Sequence, residues 1–243
     1  MVELRTILLS LMVIVIVGII VLILYELLSG STYALPSGIS PVQTSVLLID
    51  ALHEGRDHLK IDTPLPRSQN ESDGIEFTYA AWLLVNDYDD ESGGKKPTIF
   101  VKGNSDLSMQ SPSVTMRAGH NEIHIVQDTY KDDKPGKLVI RNLPAGKMIH
   151  LAIAMNQQSM DVYVNGTLYQ HLTLAALPLQ NNGHVYVADN GGWKGLIGSF
   201  IYYNYALTPQ EVRSLANTKP ARDPNDIPPY APYLDTSWWI NKY

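Results

Sequence analysis

The sequence predicts an all-β domain joined to one N-terminal membrane-spanning helix. Three observations predict it. An uncharged run of 18 residues, Ile7 to Leu24 (ILLSLMVIVIVGIIVLIL), lies near the N-terminus. Beyond it come many short runs rich in Val, Ile, Tyr and Leu, broken by Gly, Pro, Asn and Asp, the pattern of a β-sandwich or barrel. After the apolar run, one short segment alone, Leu207–Asn217, carries a convincing helical pattern.

The apolar run sets the first boundary. At about 1.5 Å rise per residue, 18 residues reach about 27 Å, close to the hydrocarbon core of a bilayer. Tyr25, Leu27 and Leu28 extend the span to the interface. A cleaved signal peptide is the rival, with an apolar region of roughly 7–15 residues and a small-x-small cleavage site. Here the run is longer, Arg5 stands against Glu3, and Tyr25-Glu26-Leu27-Leu28 cleaves poorly. Residues 1–28 therefore read as an anchor and 29–41 (SGSTYALPSGISP) as a linker. Residues 42–217 read as the β domain and 218–243 as a tail. Arg5 before the span and Glu26 after it place the N-terminus on the cytoplasmic or interior side, in a virion membrane or at a cell surface. Asn70-Glu71-Ser72 and Asn165-Gly166-Thr167 are glycosylation acceptor patterns, at Asn70 and Asn165, compatible with that orientation.

Composition narrows the partners. Lys and Arg number 18 against 24 Asp and Glu, a net charge of −6, which argues against nucleic acid as a partner. Without cysteine there is no disulfide framework, no thiolate chemistry and no cysteine-ligated metal.

Candidate strands are Ser45–Ile49, Phe77–Val85, Thr98–Lys102, Ser113–Arg117, Glu122–Gln127 and Lys137–Arg141, followed by Met148–Met155, Asp161–Val164, Thr167–Leu172, His184–Ala188 and Gly195–Tyr203. Asn165-Gly166 suits a two-residue type I′ turn, because both residues tolerate positive φ. Its register sets Val164 against Thr167, Tyr163 against Leu168 and Asp161 against Gln170. In the preceding strand Ile149, Leu151, Ile153 and Met155 share one face, and His150, Ala152 and Ala154 the other. In the helix, Thr208 is the N-cap, Pro209 sits at N1 and Glu211 closes a capping box, while Asn217 suits a left-handed stop.

At this point four segments resemble a known family. Phe77-Thr-Tyr-Ala-Ala-Trp82 and Thr98-Ile-Phe-Val-Lys-Gly103 resemble successive early strands of laminin-G-like domains in the concanavalin A-like lectin/glucanase superfamily. His150–Met155 followed by Asp161-Val-Tyr-Val-Asn-Gly166 resembles the family's central strand and hairpin. Leu196–Glu211 is similar to its terminal strand and Ala-Leu-Thr-Pro-Gln-Glu helix start. The resemblance implies a jelly-roll sandwich of two antiparallel sheets, and carbohydrate or protein binding as a common role. It implies no reaction, since one fold hosts many functions.

Several groups are candidates for chemistry. Glu71-Ser-Asp-Gly-Ile-Glu76 has the E-x-D-x-x-E spacing of the glucanase branch, where paired carboxylates cleave glycosidic bonds. Its Ser72 and Gly74 and the prolines before it favour a solvated loop. His120, Glu122 and His124 alternate on one strand face, a weak zinc pattern whose ordinary reading is a polar outer face. Acidic loops at Asp87, Asp89, Asp90 and Asp128 supply the oxygens calcium prefers, although solvated turns are the default for such loops. The resemblance also points to calcium, since such domains at times hold it by loop oxygens. Trp193, in Asn190-Gly-Gly-Trp-Lys194 beside Asp189, is the best single candidate for stacking on a sugar, balanced against a lid packed on the sandwich edge.

The tail carries Pro220, Pro224, Pro228, Pro229 and Pro232, with Tyr230, Tyr233, Trp238 and Trp239. Five prolines forbid a continuous helix, and the aromatics suit either a strap on the domain itself or docking on a partner, the second being favoured. The functional expectation is a non-catalytic binding module held on a bilayer through Ile7 to Leu24, recognising glycan or protein through the sandwich and tail. The alternative is a structural protein, such as a minor capsid or coat component tying a membrane to an outer shell. A glycoside hydrolase ranks third.

Overall fold

A computed structural model describes residues 12, 16–19, 42–68, 75–88, 95–131 and 134–218. The chain divides into two units, Met1–Ser40 and Pro41–Tyr243. In the first, Met12 and residues 16–19 are helical. The rest of the expected span, the linker 29–41 and the tail from residue 219 lie outside the described residues. Among the described residues, no helix is long and apolar enough to cross a membrane.

The second unit is an antiparallel two-sheet sandwich. Its strands are β1 (Ser45–Ile49), β2 (His53–Glu54), β3 (Leu59–Ile61), β4 (Glu76–Val85), β5 (Thr98–Gly103), β6 (Gln110–Met116) and β7 (Glu122–Gln127). There follow β8 (Gly136–Arg141), β9 (Met148–Asn156), β10 (Ser159–Val164), β11 (Thr167–Thr173), β12 (His184–Asp189), β13 (Gly195–Tyr203) and the helix α1 (Pro209–Ala216). One sheet runs β1-β13-β4-β9-β10-β11, with β2 also on β13, and the other runs β3-β12-β5-β6-β7-β8. Half of the neighbouring pairs along the two sheets, among them β1-β13, β13-β4, β4-β9, β3-β12 and β12-β5, join strands distant in sequence, so the core forms only when the whole domain assembles.

Alternation builds the core. Phe77, Tyr79 and Leu83 of β4, with Ile149, Leu151, Ile153 and Met155 of β9, face Phe100, Val114, Ile123, Ile125 and Ile140 of the other sheet. Phe100 and Phe200 meet across the sheets with ring centroids 4.7 Å apart. The split of β9 into an Ile/Leu/Met face and a His/Ala face holds, but the second face is buried as well. Ala152 and Ala154, beside Ala80 of β4, lie under α1, where Leu207 and Val212 pack with Tyr163 and Tyr203. Alanines keep that surface low enough for a helix to settle on it.

Local details correct two expectations. Asn165 (φ 51°) and Gly166 (φ 75°) form the hairpin turn, with Val164 opposite Thr167 and Tyr163 opposite Leu168. A bulge between Val162 and Tyr163 then pairs Val162 with Gln170 and Asp161 with His171, so Asp161 does not face Gln170. The capping box of Thr208 and Glu211 is present, with Thr208 Oγ1 accepting from the Glu211 N–H at 3.3 Å. Asn217 ends α1 at φ −87° and ψ −9°, a right-handed conformation, and its N–H donates to Arg213 O instead of turning into the left-handed region.

Candidate functional site

The sandwich has two ends, and they differ. At one, the start of β4, the end of β13 and the segment 62–68 enclose a cleft of about 620 Å³ with the 180–184 loop and Lys102. That size lies in the range of about 300–1,000 Å³ common to ligand sites. Tyr79 and Tyr202 from one sheet meet in its wall, ring centroids 5.0 Å apart. The Tyr202 hydroxyl donates to Pro66 O at 2.9 Å, tying segment 62–68 to the sheet. Burial pushes the phenol groups of both tyrosines above their usual range, so both stay neutral donors.

Lys102 is the unusual residue of this cleft. It follows the apolar run Thr98-Ile-Phe-Val101 on β5 and is only 8% exposed. Its Nζ donates to Asn181 O at 2.9 Å, to Asn181 Oδ1 at 3.4 Å and to Gly183 O. Asn181 answers by donating from Nδ2 to Lys102 O at 3.0 Å. Among the described residues no carboxylate is ion-paired with this ammonium. Burial therefore lowers its pKa from 10.5 to about 8, leaving it mostly charged at neutral pH. Gln127 pins the same end: its Nε2 donates to Leu179 O at 3.0 Å and to Ser111 Oγ at 3.2 Å.

The cleft's described carboxylate is Asp62, held by Lys60 at 2.8 Å and His184 at 3.0 Å. Cleavage of a glycosidic bond by two carboxylates needs a second one facing it. Of the Glu71–Glu76 motif, Glu71 and Asp73 lie outside the described residues, and Glu76 opens β4 opposite Asn156. The cleft thus offers an ammonium, the exposed Arg67, amide groups and the exposed Tyr130, a set suited to holding oxygen-rich ligands.

The other end is closed by Trp193, which of its two readings takes that of a lid packed on the sandwich edge. Trp193 is 4% exposed, and its Nε1 donates to Leu84 O at 2.9 Å. Gly55 makes room for it, since a Cβ there would lie 2.6 Å from the indole. The recess beside Trp193 measures about 30 Å³, one water's worth of space. Asn190 is spent on Thr98 Oγ1 at 3.1 Å and Ser105 O at 3.0 Å. Asp189 accepts from the Asn190 N–H at 2.8 Å, with its Oδ2 buried and without a hydrogen-bond partner among the described residues.

The acidic groups grouped for calcium are dispersed. Asp87 pairs with Lys194 at 3.0 Å at the Trp193 end, near Met116. Asp128 accepts from the Gln110 N–H at 2.6 Å, at the far end of β6, where burial raises its pKa. The length of β6 separates them, so they do not share one ion; Asp89 and Asp90 lie outside the described residues. Glu122 is taken up by Arg141 Nε at 3.0 Å, Arg117 at 3.1 Å and His124 Nε2 at 3.2 Å. These hydrogen bonds, from Arg141 first, hold its pKa at about 2, while His120 turns aside to Ala118 O. Among the described residues no three His, Asp or Glu side chains are grouped to hold a metal.

Asp161, His171 and Thr173 form a chain on β10 and β11, with Nδ1 to Asp161 Oδ1 at 2.6 Å and Nε2 to Thr173 Oγ1 at 3.2 Å. It lies exposed and lines neither cleft nor recess, so it is a cross-strand polar cluster. Exposed Asn165 accepts the His150 N–H at 2.9 Å. Asn70, Tyr230, Tyr233, Trp238 and Trp239 lie outside the described residues. Sequence reasoning passed over Lys102; the available signal was a lone cation ending an apolar strand.

Comparison with known proteins agrees with the architecture. The binding domain of botulinum neurotoxin serotype D superposes with a TM-score of 0.53 at 12% identity, covering 72% of this chain and 46% of that one. The serotype G binding domain gives 0.50 at 14% identity, covering 71% and 50%. The chain thus spans about half the length of the solved domains it resembles, and at these identities the likeness concerns the fold. Among curated proteins there is no match. Residues 54–213 match the laminin-G-type family described as the concanavalin A-like lectin/glucanases superfamily, and the chain belongs to that family.

Proposed function

We propose that the chain is a membrane-anchored, non-catalytic binding module that seats a glycan or protein segment in the cleft at Lys102. The observation carrying this reading is a buried ammonium on a cleft of ligand size, satisfied by neutral carbonyls rather than by a carboxylate. A cation so placed favours ligands bringing electron-rich oxygens, and the exposed Tyr130 at the cleft offers a ring for apolar sugar or side-chain faces. The botulinum neurotoxin domains of similar fold are binding domains, which accords with the reading; the cleft, not the likeness, supports it. Anchoring rests on the run Ile7 to Leu24, of which Met12, Ile16, Val17 and Ile19 are helical and 44–58% exposed.

The test screens the full chain, held in detergent micelles, against immobilised glycans and peptides with and without calcium. The expected result is a defined set of binders whose affinity falls about tenfold on Arg67→Ala, the loss of one charged contact. A blank in both classes, or binders indifferent to cleft substitutions, overturns the proposal.

A further inference from the structure

The outer face of the seven-stranded sheet is covered over only part of its length. Ala80 of β4, with Ala152 and Ala154 of β9, forms the low half on which α1 packs. The next outward positions are large. Trp82 and Leu84 follow on β4, and register aligns Leu84 with Met148 of β9 and Leu196 of β13. All four are partly exposed and belong to neither packed cluster of the domain.

The helix crosses the sheet from the start of β4 to the β10–β11 hairpin. At its start, the Leu207 N–H donates to Thr78 Oγ1 at 2.9 Å, at the far end of β4. At its end, a Cβ on Gly166 would lie 3.1 Å from Ala216 Cβ, which places the last turn over the β10–β11 hairpin. Asn165 exchanges hydrogen bonds of 2.8 and 2.9 Å with the backbone of His150, whose ring packs edge-on to Trp82 at 5.4 Å. α1 therefore ends over the hairpin whose Asn165 holds His150, the residue that packs against Trp82. His150 Nδ1, on the ring against Trp82, is buried with no hydrogen-bond partner among the described residues.

After Thr218 come 25 residues with five prolines, two tryptophans and three tyrosines. At about 3.3 Å per extended residue, the first dozen alone cross the width of the sheet. Prolines cut the entropy lost on docking, and the rings match a strip of Trp, Leu and Met. We propose that residues 219–243 dock on this strip of their own domain, with the tail aromatics over Trp82, Leu84, Met148 and Leu196. The tail is then a strap on its own sandwich, covering a strip that is otherwise partly exposed.

Hydroxyl-radical footprinting of the full chain in micelles tests this. Trp82 and Met148 are expected to be protected, and their labelling to rise several-fold in a chain ending at Thr218. Trp238→Ala/Trp239→Ala, which keeps the chain length, is expected to raise it as well. A peptide of residues 219–243 added to the shortened chain is expected to restore protection. Equal labelling in all forms overturns the proposal, as does protection of the shortened chain by detergent alone. Protection of the full chain that fades on dilution overturns it too, because the occupant is then a second copy.

Discussion

The indole nitrogen of Trp193 donates to the carbonyl oxygen of Leu84 across 2.9 Å, sealing the end of the sandwich opposite the Lys102 cleft. Removing the ring both empties a packed site and orphans a carbonyl. Trp193→Ala is expected to cost about 3–5 kcal/mol, and Trp193→Phe, which keeps most of the packing, about 1 kcal/mol from the hydrogen bond. Equilibrium unfolding measures both. Unchanged stability in the alanine variant contradicts a structural role for Trp193.

The same contact predicts an effect at Gly55. A Cβ there would approach the indole to 2.6 Å, so ring or backbone must shift. Gly55→Ala is expected to destabilise by about 1–3 kcal/mol, as overpacking does. A melting temperature equal to that of the unaltered chain counts against the packing described.

Lys102 predicts a pH dependence. Its folded-state pKa of about 8 lies below the ordinary 10.5 because burial disfavours the charge. Between those values the unfolded chain keeps a proton that the folded chain releases, so this group's contribution to stability rises as pH rises through 8. Lys102→Met is expected to lose about 1–3 kcal/mol at neutral pH, since Asn181 O and Gly183 O lose their donor. The gap between the two proteins is expected to widen above pH 8. A gap that stays flat or narrows there refutes the assignment.

His150 predicts the opposite limb. Burial lowers its pKa from 6.5 to about 4, so it stays neutral in the fold. Below pH 6.5 the unfolded chain takes up a proton the folded chain refuses, and stability falls towards pH 4, by a total on the order of 3 kcal/mol. His150→Phe keeps a ring against Trp82 and is expected to flatten this acid limb. An identical acid limb in the variant shows that other groups govern it.

What the sequence made legible was local. Asn165-Gly166 and the Thr208–Glu211 box specify their own turn and cap, because all the partners lie within a few residues. The two-residue β2 and three-residue β3 are too short to show alternation and were not expected. Trp193 sits in a Gly-rich loop, and loop composition does not say what packs over it; the decisive partner, Leu84, is 109 residues away. The cleft likewise joins segments 62–68, 102 and 180–184, which only the crossed strand order brings together. The alanines at 152 and 154 were visible as a small face, but their meaning required knowing where α1 lands and that Ala80 lies beside them.

The most direct measurement of the binding role is differential hydrogen exchange of the full chain, with and without a ligand recovered from the glycan and peptide screens. Added protection is expected at residues 62–68 and 180–184, around Lys102. Protection confined to residues 189–194 around Trp193, or spread over the exposed outer strands, contradicts a ligand site in the Lys102 cleft.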